Sequence, residues 1–498
     1  MTTNPVPEEQ LLTKIDDKGL PFFPAPRPRA HSHATLGLLT DTIIWALGAA
    51  VVVFWFAGGA WADLTRSVPM ALQALGALVG LFAAFLLLMQ ILLMARVPFI
   101  ERGLGRDVIV AVHRKLGFRV FWLVLAHVLI VSVGYSFAVP RFAINRNPLV
   151  QFTHILSDFP GADLAFLGTL VLFGAVILMS LPSIRKKFRY EIWLHWHLLA
   201  YVGVLLVLPH QLWSGGSFIT SRPARIFWWT LWGVVLLSAV VFRLIRPLWN
   251  WHKHQLRIVS AEPDGTRGVA VQMSGRNLNQ LHARAGQFFI WRFLDGEPGW
   301  WQGHPFSLSM PPTDDKYQIC VRVVGDGTER IKKLKPGTRV IAEGPYGRVN
   351  GDLRTGNNLL MFAAGAGLGP MLSILGEQSW GPGEATLVTR DSSEEEAMMT
   401  DQIQALVDQR GLKWERLIGK SPKNGSRWHP AVDDKGTGLD GSEIIQKWVN
   451  EMPTKGTDNS AGTDVFMCGP PPWMDGVKTD MAKAGIPHEQ IHIEEFAF

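Results

Sequence analysis

Five histidines lie within runs of membrane-like apolarity. The stretch HRKLGFRVFWLVLAH sets His113 and His127 fourteen residues apart, and HWHLLAYVGVLLVLPH sets His195 and His197 ahead of His210. An ionisable side chain in hydrocarbon costs about 3 kcal/mol unless a partner holds it. Fourteen residues of α-helix rise about 21 Å and turn through a net of about 40°, so His113 and His127 share one face at two depths. In the other stretch, spacings of fifteen and thirteen correspond to net rotations of about 60° and about 140°, and ideal geometry favours His195 over His197. Pro209 removes a backbone donor just before His210 and is expected to bend that helix and alter the phase. Imidazoles in two layers on two helices suit two b-type haems, each held from both sides.

The elements that must position these side chains are legible as composition. The chain has 498 residues and is 48% hydrophobic, high for a wholly soluble protein. Six apolar runs, at about 36–58, 69–95, 113–138, 162–182, 191–213 and 224–246, each supply the roughly 20 residues of a spanning helix. Arg96, Arg102, Arg106, Arg114 and Lys115 crowd the second connection, and Arg185, Lys186, Lys187 and Arg189 the fourth. Arg243, Arg246, Lys253 and Arg257 follow the last run, so the positive-inside rule predicts cytoplasmic N- and C-termini for a multi-pass protein of the cell (inner) membrane. The net charge of +6 is accounted for by loops facing an anionic leaflet and is no argument for nucleic acid. Residues 1–35 are polar and Pro-rich, without the basic-then-apolar form of a signal peptide, and read as a mobile cytoplasmic tail. The two cysteines, Cys320 and Cys468, both fall in the cytoplasmic half and form no disulfide framework.

After about residue 250 the sequence changes character. HQLRIVSAEPDGTRGVAVQMS, QFFIWRF, HPFSLS and YQICVRVV read as short strands of a small antiparallel barrel. NNLLMFAAGAGLGPMLSIL, EATLVTR and DVFMCGPPPW then alternate strand and helix, which indicates an open parallel sheet binding a dinucleotide at its carboxyl edge. Gly365, Gly367 and Gly369 let the backbone approach a pyrophosphate at a helix N-terminus, although GAGLGP lacks the spacing of G-x-G-x-x-G.

YEIWLHWHLLAY followed by a histidine resembles the ferric reductase-like transmembrane domain shared by NADPH oxidases and metalloreductases. That resemblance selects His197, between Trp193 and Tyr201, and implies metal ligation by His113, His127, His197 and His210, with His195 as the alternative. His113 is then expected to pair with His197 near the cytoplasm, and His127 with His210 near the outer face. HPFSLS, VRVVGDGTERI, EGPYG, GAGLGP and CGPPPW in sequence resemble the ferredoxin-NADP reductase superfamily, specifically the dehydrogenase half of NADPH oxidases.

The second resemblance implies that His304, Pro305 and Phe306 line a flavin and that the Ser307 hydroxyl lies near its reactive nitrogen. It implies contact of Arg322, Gly325, Gly327 and Thr328 with the FAD pyrophosphate, and of Gly365, Gly367, Gly369 and Pro370 with NADPH. Cys468, Gly469 and Pro470 are expected at the nicotinamide, and Phe496, or alternatively Phe498, stacked on the flavin. Arg390, after the second strand of the nucleotide sheet, is expected to hold the 2′-phosphate of NADPH.

The expected architecture is therefore a six-helix transmembrane bundle binding two haems (36–250), an antiparallel FAD-binding barrel (251–354) and an α/β NADP-binding domain (355–498). The expected cofactors are FAD, NADPH and two b-type haems, and no side chain is required as nucleophile or general base. The electron acceptor is expected to be a small molecule on the outer face, oxygen giving superoxide, with ferric or cupric chelates or a redox partner as alternatives. Arg141, Arg146 and His154, in the segment after the third helix, are candidates to cap an oxygen pocket there.

Overall fold

The computed structural model describes residues 31–139, 146–188, 190–214, 216, 218, 221–433, 435–453 and 462–494. Residues 37–100 with 108–243 form one compact unit, and 101–107 with 244–498 belong to a second.

Six helices among the described residues are long and apolar enough to cross a membrane: α1 (Thr35–Arg66), α2 (Val68–Met94), α3 (Val108–Ala138), α4 (Ala162–Ser180), α5 (Ile192–Ser214) and α6 (Arg222–His254). The chain is a multi-pass membrane protein. Several helices outrun their apolar sequence because backbone hydrogen bonding continues into polar flanks. Near the expected end of α1 the chain kinks at Gly59 (φ 99°), and a further helical turn carries it to Arg66. Ser67 then starts α2, its side chain accepting from the Met70 N–H at 3.4 Å, with proline in the first turn.

Small residues set the close helix contacts, as expected where lipid supplies no hydrophobic drive between helices. A Cβ on Gly168 of α4 would lie 2.7 Å from the Gly203 carbonyl of α5. A Cβ on Gly134 of α3 would lie 3.1 Å from the Gln73 nitrogen of α2.

The helix runs through Pro209 to Ser214, and α5 is interrupted instead at Leu199, ten residues before the expected bend. Leu199 N–H bonds the Trp196 carbonyl at 3.2 Å in a tighter turn, which shifts the phase between His197 and His210.

The second unit holds two sheets. The first is antiparallel: β1 (Arg257–Asp264), β2 (Gly268–Ser274), β3 (Phe288–Leu294), β4 (His304–Ser307), β5 (Lys316–Arg322) and β6 (Arg339–Tyr346), in the order β4-β3-β6-β1-β2-β5. A bridge between Leu308 and Ile319 joins the chain just after one edge strand to the other edge strand. Its interior is filled by alternate residues such as Phe289, Trp291 and Phe293, all fully buried.

The second sheet is parallel: β7 (Asn358–Ala364), β8 (Ala385–Asp391), β9 (Lys413–Ile418), β10 (Thr463–Cys468) and β11 (Ile491–Glu494), in the order β11-β10-β7-β8-β9. The order reverses between β7 and β10, the switch point at which such sheets bind ligands beyond their carboxyl ends. Every residue of β7 is buried, because both faces are covered. Leu359, Met361 and Ala363 pack with α7 (Leu368–Glu377) and α8 (Thr400–Arg410), while Leu360 and Phe362 pack with α9 (Gly441–Asn450) and α10 (Pro471–Lys483).

Asp464 of β10 is fully buried, accepting from the Thr355 N–H at 2.8 Å, the Gly356 N–H, and the His492 imidazole of β11 at 2.8 Å. Asp464→Ala strands these donors, and we expect it to cost about 3 kcal/mol or more. The check is the melting temperature of the purified protein, which Asp464→Ala lowers by several degrees.

Candidate functional site

The structure brings four histidines of the first unit together as two couples. The ring centroids of His113 and His197 lie 6.1 Å apart at 64°, and those of His127 and His210 6.4 Å apart at 58°. Two metal–nitrogen bonds of about 2 Å, with about 1.1 Å from each nitrogen to its ring centre, place opposed imidazole centroids about 6.2 Å apart. Both couples therefore fit one metal ion between their rings. Among the described residues no group of three or more His, Cys, Asp or Glu stands ready to hold a metal. Two opposed imidazoles at this spacing would suit a metal whose other ligands are the planar nitrogens of a porphyrin.

The surroundings orient the rings. His127 Nδ1–H donates to the Gly76 carbonyl at 2.8 Å, which leaves Nε2 unprotonated and available as a ligand. A Cβ on Gly80 would lie 2.6 Å from the same ring, so Gly76 and Gly80, one turn apart on α2, form its cradle. His197 Nδ1 lies 3.4 Å from the Ser180 hydroxyl, which itself donates to the Val176 carbonyl, so the imidazole is the donor there as well. Trp193 stacks on His197 at 5.0 Å and 27°, and Arg185 caps that indole at 4.9 Å. His195, two residues from His197, is exposed. Sequence reasoning missed Gly76 and Gly80, for which the signal was a G-x-x-x-G spacing on α2. Arg146 lies over the Phe137 ring at 5.4 Å, and His154 is exposed on the short helix Pro148–Asp158. Arg141 lies outside the described residues.

In the second unit, β4 carries the HPFS segment. Pro305, which lacks an N–H, is tolerated because β4 is an edge strand. His304 and Phe306 project from the same side with rings 5.9 Å apart and parallel to 2°. The Ser307 hydroxyl is buried with no hydrogen-bond partner among the described residues, which leaves it available to a ligand's hydrogen-bonding edge. The GDGT turn meets this strand, since a Cβ on Gly327 would lie 3.1 Å from the His304 ring. Thr328 Oγ1 accepts from the Val324 N–H at 2.9 Å and the Gly325 N–H at 3.1 Å, so its role is to shape the turn. Phe496 and Phe498 lie outside the described residues.

At the switch point the turn Gly365–Gly367 leads into α7, whose first turn contains Gly369 and Pro370. Gly365 is left-handed (φ 56°), and a Cβ on Gly367 would overlap the Cys468 carbonyl at the end of β10. The glycines thus bring the two strand ends into contact, with Gly469 and Pro470 leading from Cys468 into α10. Burial, and then the charge of Glu494, push the Cys468 thiol well above its ordinary range, so it is a neutral packing group and not a nucleophile.

Arg390, at the end of β8, donates to three carbonyls, those of Asp391, Leu417 at 3.2 Å and Gly419 at 2.7 Å. It therefore pins the carboxyl ends of β8 and β9 together, a role that sequence reasoning did not foresee. Burial raises the Asp391 carboxyl above its usual range against the pull of Arg322, Arg390 and Arg416. Arg322, at the end of β5, pairs with Glu396 at 2.7 Å.

Residues 79–208 match the ferric reductase like transmembrane component, and residues 248–350 match the FAD-binding domain. The gamma subunit of sulfhydrogenase 1 from Pyrococcus furiosus is 28% identical over 196 residues, 38% of this chain and 61% of that subunit. Respiratory burst oxidase homolog protein D from Arabidopsis thaliana is 23% identical over 278 residues, 51% of this chain and 26% of that protein. The chain thus spans less than two thirds of either relative. Among solved structures, a ferredoxin NADP+ reductase from Neisseria gonorrhoeae with bound FAD and NADP is 20% identical, with a TM-score of 0.36 over 49% of this chain and 98% of that one.

Proposed function

We propose that this oxidoreductase, a chain carrying a ferric reductase-like transmembrane component followed by an FAD-binding domain, transfers electrons from cytoplasmic NADPH to oxygen on the outer face of the cell membrane, giving superoxide. Its cofactors in this reading are FAD and two b-type haems. When bound, the flavin converts a two-electron donor into the single electrons that haem iron accepts. His113 with His197, and His127 with His210, would hold the two irons, and the matched couples at 6.1 and 6.4 Å are the observation that carries the reading. His304, Pro305, Phe306 and Ser307 would line the flavin, with the buried Ser307 hydroxyl on its hydrogen-bonding edge. Arg322, Gly325, Gly327 and Thr328 would form the wall of its pyrophosphate site. The turn Gly365–Pro370, facing Cys468–Pro470 across the switch point, would seat the nicotinamide nucleotide.

In this reading His127 and His210 would hold the outer iron from both sides, so oxygen would be reduced without binding to it, and Arg146, whose guanidinium lies over the Phe137 ring, would favour the anion that forms. The deciding measurement is NADPH turnover in air with and without superoxide dismutase, followed by anaerobic turnover with ferric chelates. Superoxide is expected to account for most of the NADPH consumed. An aerobic rate indifferent to oxygen concentration, together with fast anaerobic reduction of chelates, would assign the chain to metal reduction.

Arg390 would read the 2′-phosphate with the donors its three carbonyl bonds leave over. Arg390→Ala is expected to lower the ratio of kcat/KM for NADPH over NADH by about tenfold, and also the melting temperature through the lost β8–β9 pin. A variant that melts early but keeps its NADPH preference would leave only the structural role.

A further inference from the structure

The connection between β3 and β4, DGEPGWWQG, carries two adjacent tryptophans that the fold leaves partly outside, Trp300 at 48% exposure and Trp301 at 39%. Indoles in water forgo the burial that makes them favourable, so a loop that presents them is built for something that covers them. The loop has a defined shape. Gly296 and Gly299 take left-handed backbone (φ 81° and 88°). Two successive turns follow, with the Trp300 N–H donating to the Glu297 carbonyl at 3.0 Å and the Gln302 N–H to the Gly299 carbonyl at 2.9 Å. Arg292 of β3 donates to the Trp301 carbonyl at 3.1 Å and holds that end of the loop to the barrel. Arg330 holds the other end, its Nε 3.1 Å from Asp295 Oδ2 and its Nη1 donating to the Pro298 carbonyl at 3.0 Å.

Arg330 gives the loop its address. It belongs to the short helix Asp326–Ile331, which continues from the Gly325–Thr328 turn assigned above to the flavin's pyrophosphate, and the five residues from Gly325 to Arg330 rise about 8 Å. Val324, which leads into that turn, is 81% exposed and adds a second apolar surface beside it. The flavin ring itself is assigned to β4, where the His304 and Phe306 rings lie parallel, and Trp300 is set apart from them by the turn through Gln302. The part of FAD on the other side of its pyrophosphate from the flavin is adenine, a planar ring that an indole covers face to face.

We propose that Trp300 stacks on the adenine of FAD and so helps this chain to select FAD over FMN. Arg322 and the Gly325–Thr328 turn keep the pyrophosphate in this arrangement, and the indole adds affinity from a group that FMN lacks. Trp301 anchors the loop through its carbonyl, and Trp300 supplies the stacking face.

This role rests on the flavin reading of β4 and of the Gly325–Thr328 turn, and one set of titrations separates the two. Full-length protein purified in detergent and freed of flavin is titrated with FAD and with FMN, read as quenching of flavin fluorescence, with melting temperature measured in parallel. Trp300→Ala is expected to bind FAD about tenfold more weakly than wild type and to bind FMN within about twofold of wild type. Trp300→Phe, which keeps a ring, recovers most of the FAD affinity, and Trp300→Leu, which keeps apolar bulk without one, does not. Equal losses for FAD and FMN would put the indole on the flavin ring and overturn the proposal. Wild-type FAD affinity in Trp300→Ala at an unchanged melting temperature overturns it as well. If Trp300→Ala does not fold, equal FAD affinity in Trp300→Leu and Trp300→Phe overturns it. A wild type that binds neither flavin removes the flavin reading and this role with it, whereas normal wild-type binding with indifferent variants removes only the role of Trp300.

Discussion

Replacing His127 with alanine is expected to leave protein that purifies with one haem per chain in place of two, and that no longer delivers electrons to oxygen. The argument is one of coordination. Each couple in the first unit consists of two imidazoles and, among the described residues, no cluster of further ligating side chains stands in reserve to take over. Loss of one imidazole leaves His210 alone at its layer, with a buried ring nitrogen that has no hydrogen-bond partner among the described residues. The His113 and His197 couple is built from other turns of α3 and α5 and keeps its own stack of Trp193 and Arg185. The segments proposed to bind flavin and nucleotide lie on the two sheets of the second unit, so reduction of flavin by NADPH is expected to persist at the wild-type rate. Haem quantification against protein, with stopped-flow flavin reduction, checks both halves of the expectation. A variant that retains two haems would show that His127 is not an axial ligand. A milder version of the same defect is expected from Gly80→Ala, whose methyl group enters the space of the His127 ring.

Gly367→Ala is expected to abolish measurable nicotinamide-nucleotide binding and to destabilise the second unit by about 3 kcal/mol. Both sides of the collision are backbone: the new Cβ would overlap the Cys468 carbonyl and approach the Gly469 nitrogen to 2.9 Å. No side-chain rotation relieves that, so the turn after β7 must withdraw from the end of β10. This opens the switch point at which the order of the parallel sheet reverses. NADP+ titration together with thermal melting measures both effects. Gly233→Ala on α6, where a Cβ meets nothing within 4 Å, is the control and is expected to change neither. Wild-type affinity in Gly367→Ala would mean that the nucleotide does not depend on the close approach of the two strand ends.

Several features were determined by the sequence alone because they are one-dimensional. The six apolar runs appear as six helices since length and hydropathy are properties of a contiguous segment. The shared face of His113 and His127 follows from fourteen residues of uninterrupted helix. The hairpin around PDGTRG follows from local turn chemistry, with Gly265 in the left-handed region (φ 64°). The apolar run NLLMFAA needed no partner to be read as a strand, and it is one, buried throughout.

Tertiary structure alone decided the rest, because it depends on residues distant in sequence or on competition between local forces. No rule of periodicity places the α5 interruption at Leu199 while the helix continues through Pro209. β9, LysTrpGluArgLeuIle in composition, carries too many charges to read as a strand and is made one by pairing with β8 at the sheet edge. The cradle of Gly76 and Gly80 lies some fifty residues from the histidine it orients. Arg390 reads from sequence as a free guanidinium after a strand, but three carbonyls of two adjoining strand ends claim it. Glu396 is one of three successive glutamates in the sequence, and only the fold sets it between Arg267 and Arg322, residues some 130 and 74 positions away. A charge in sequence has a sign but no neighbour, and the neighbour settles whether it is a solubilising surface group or part of a site.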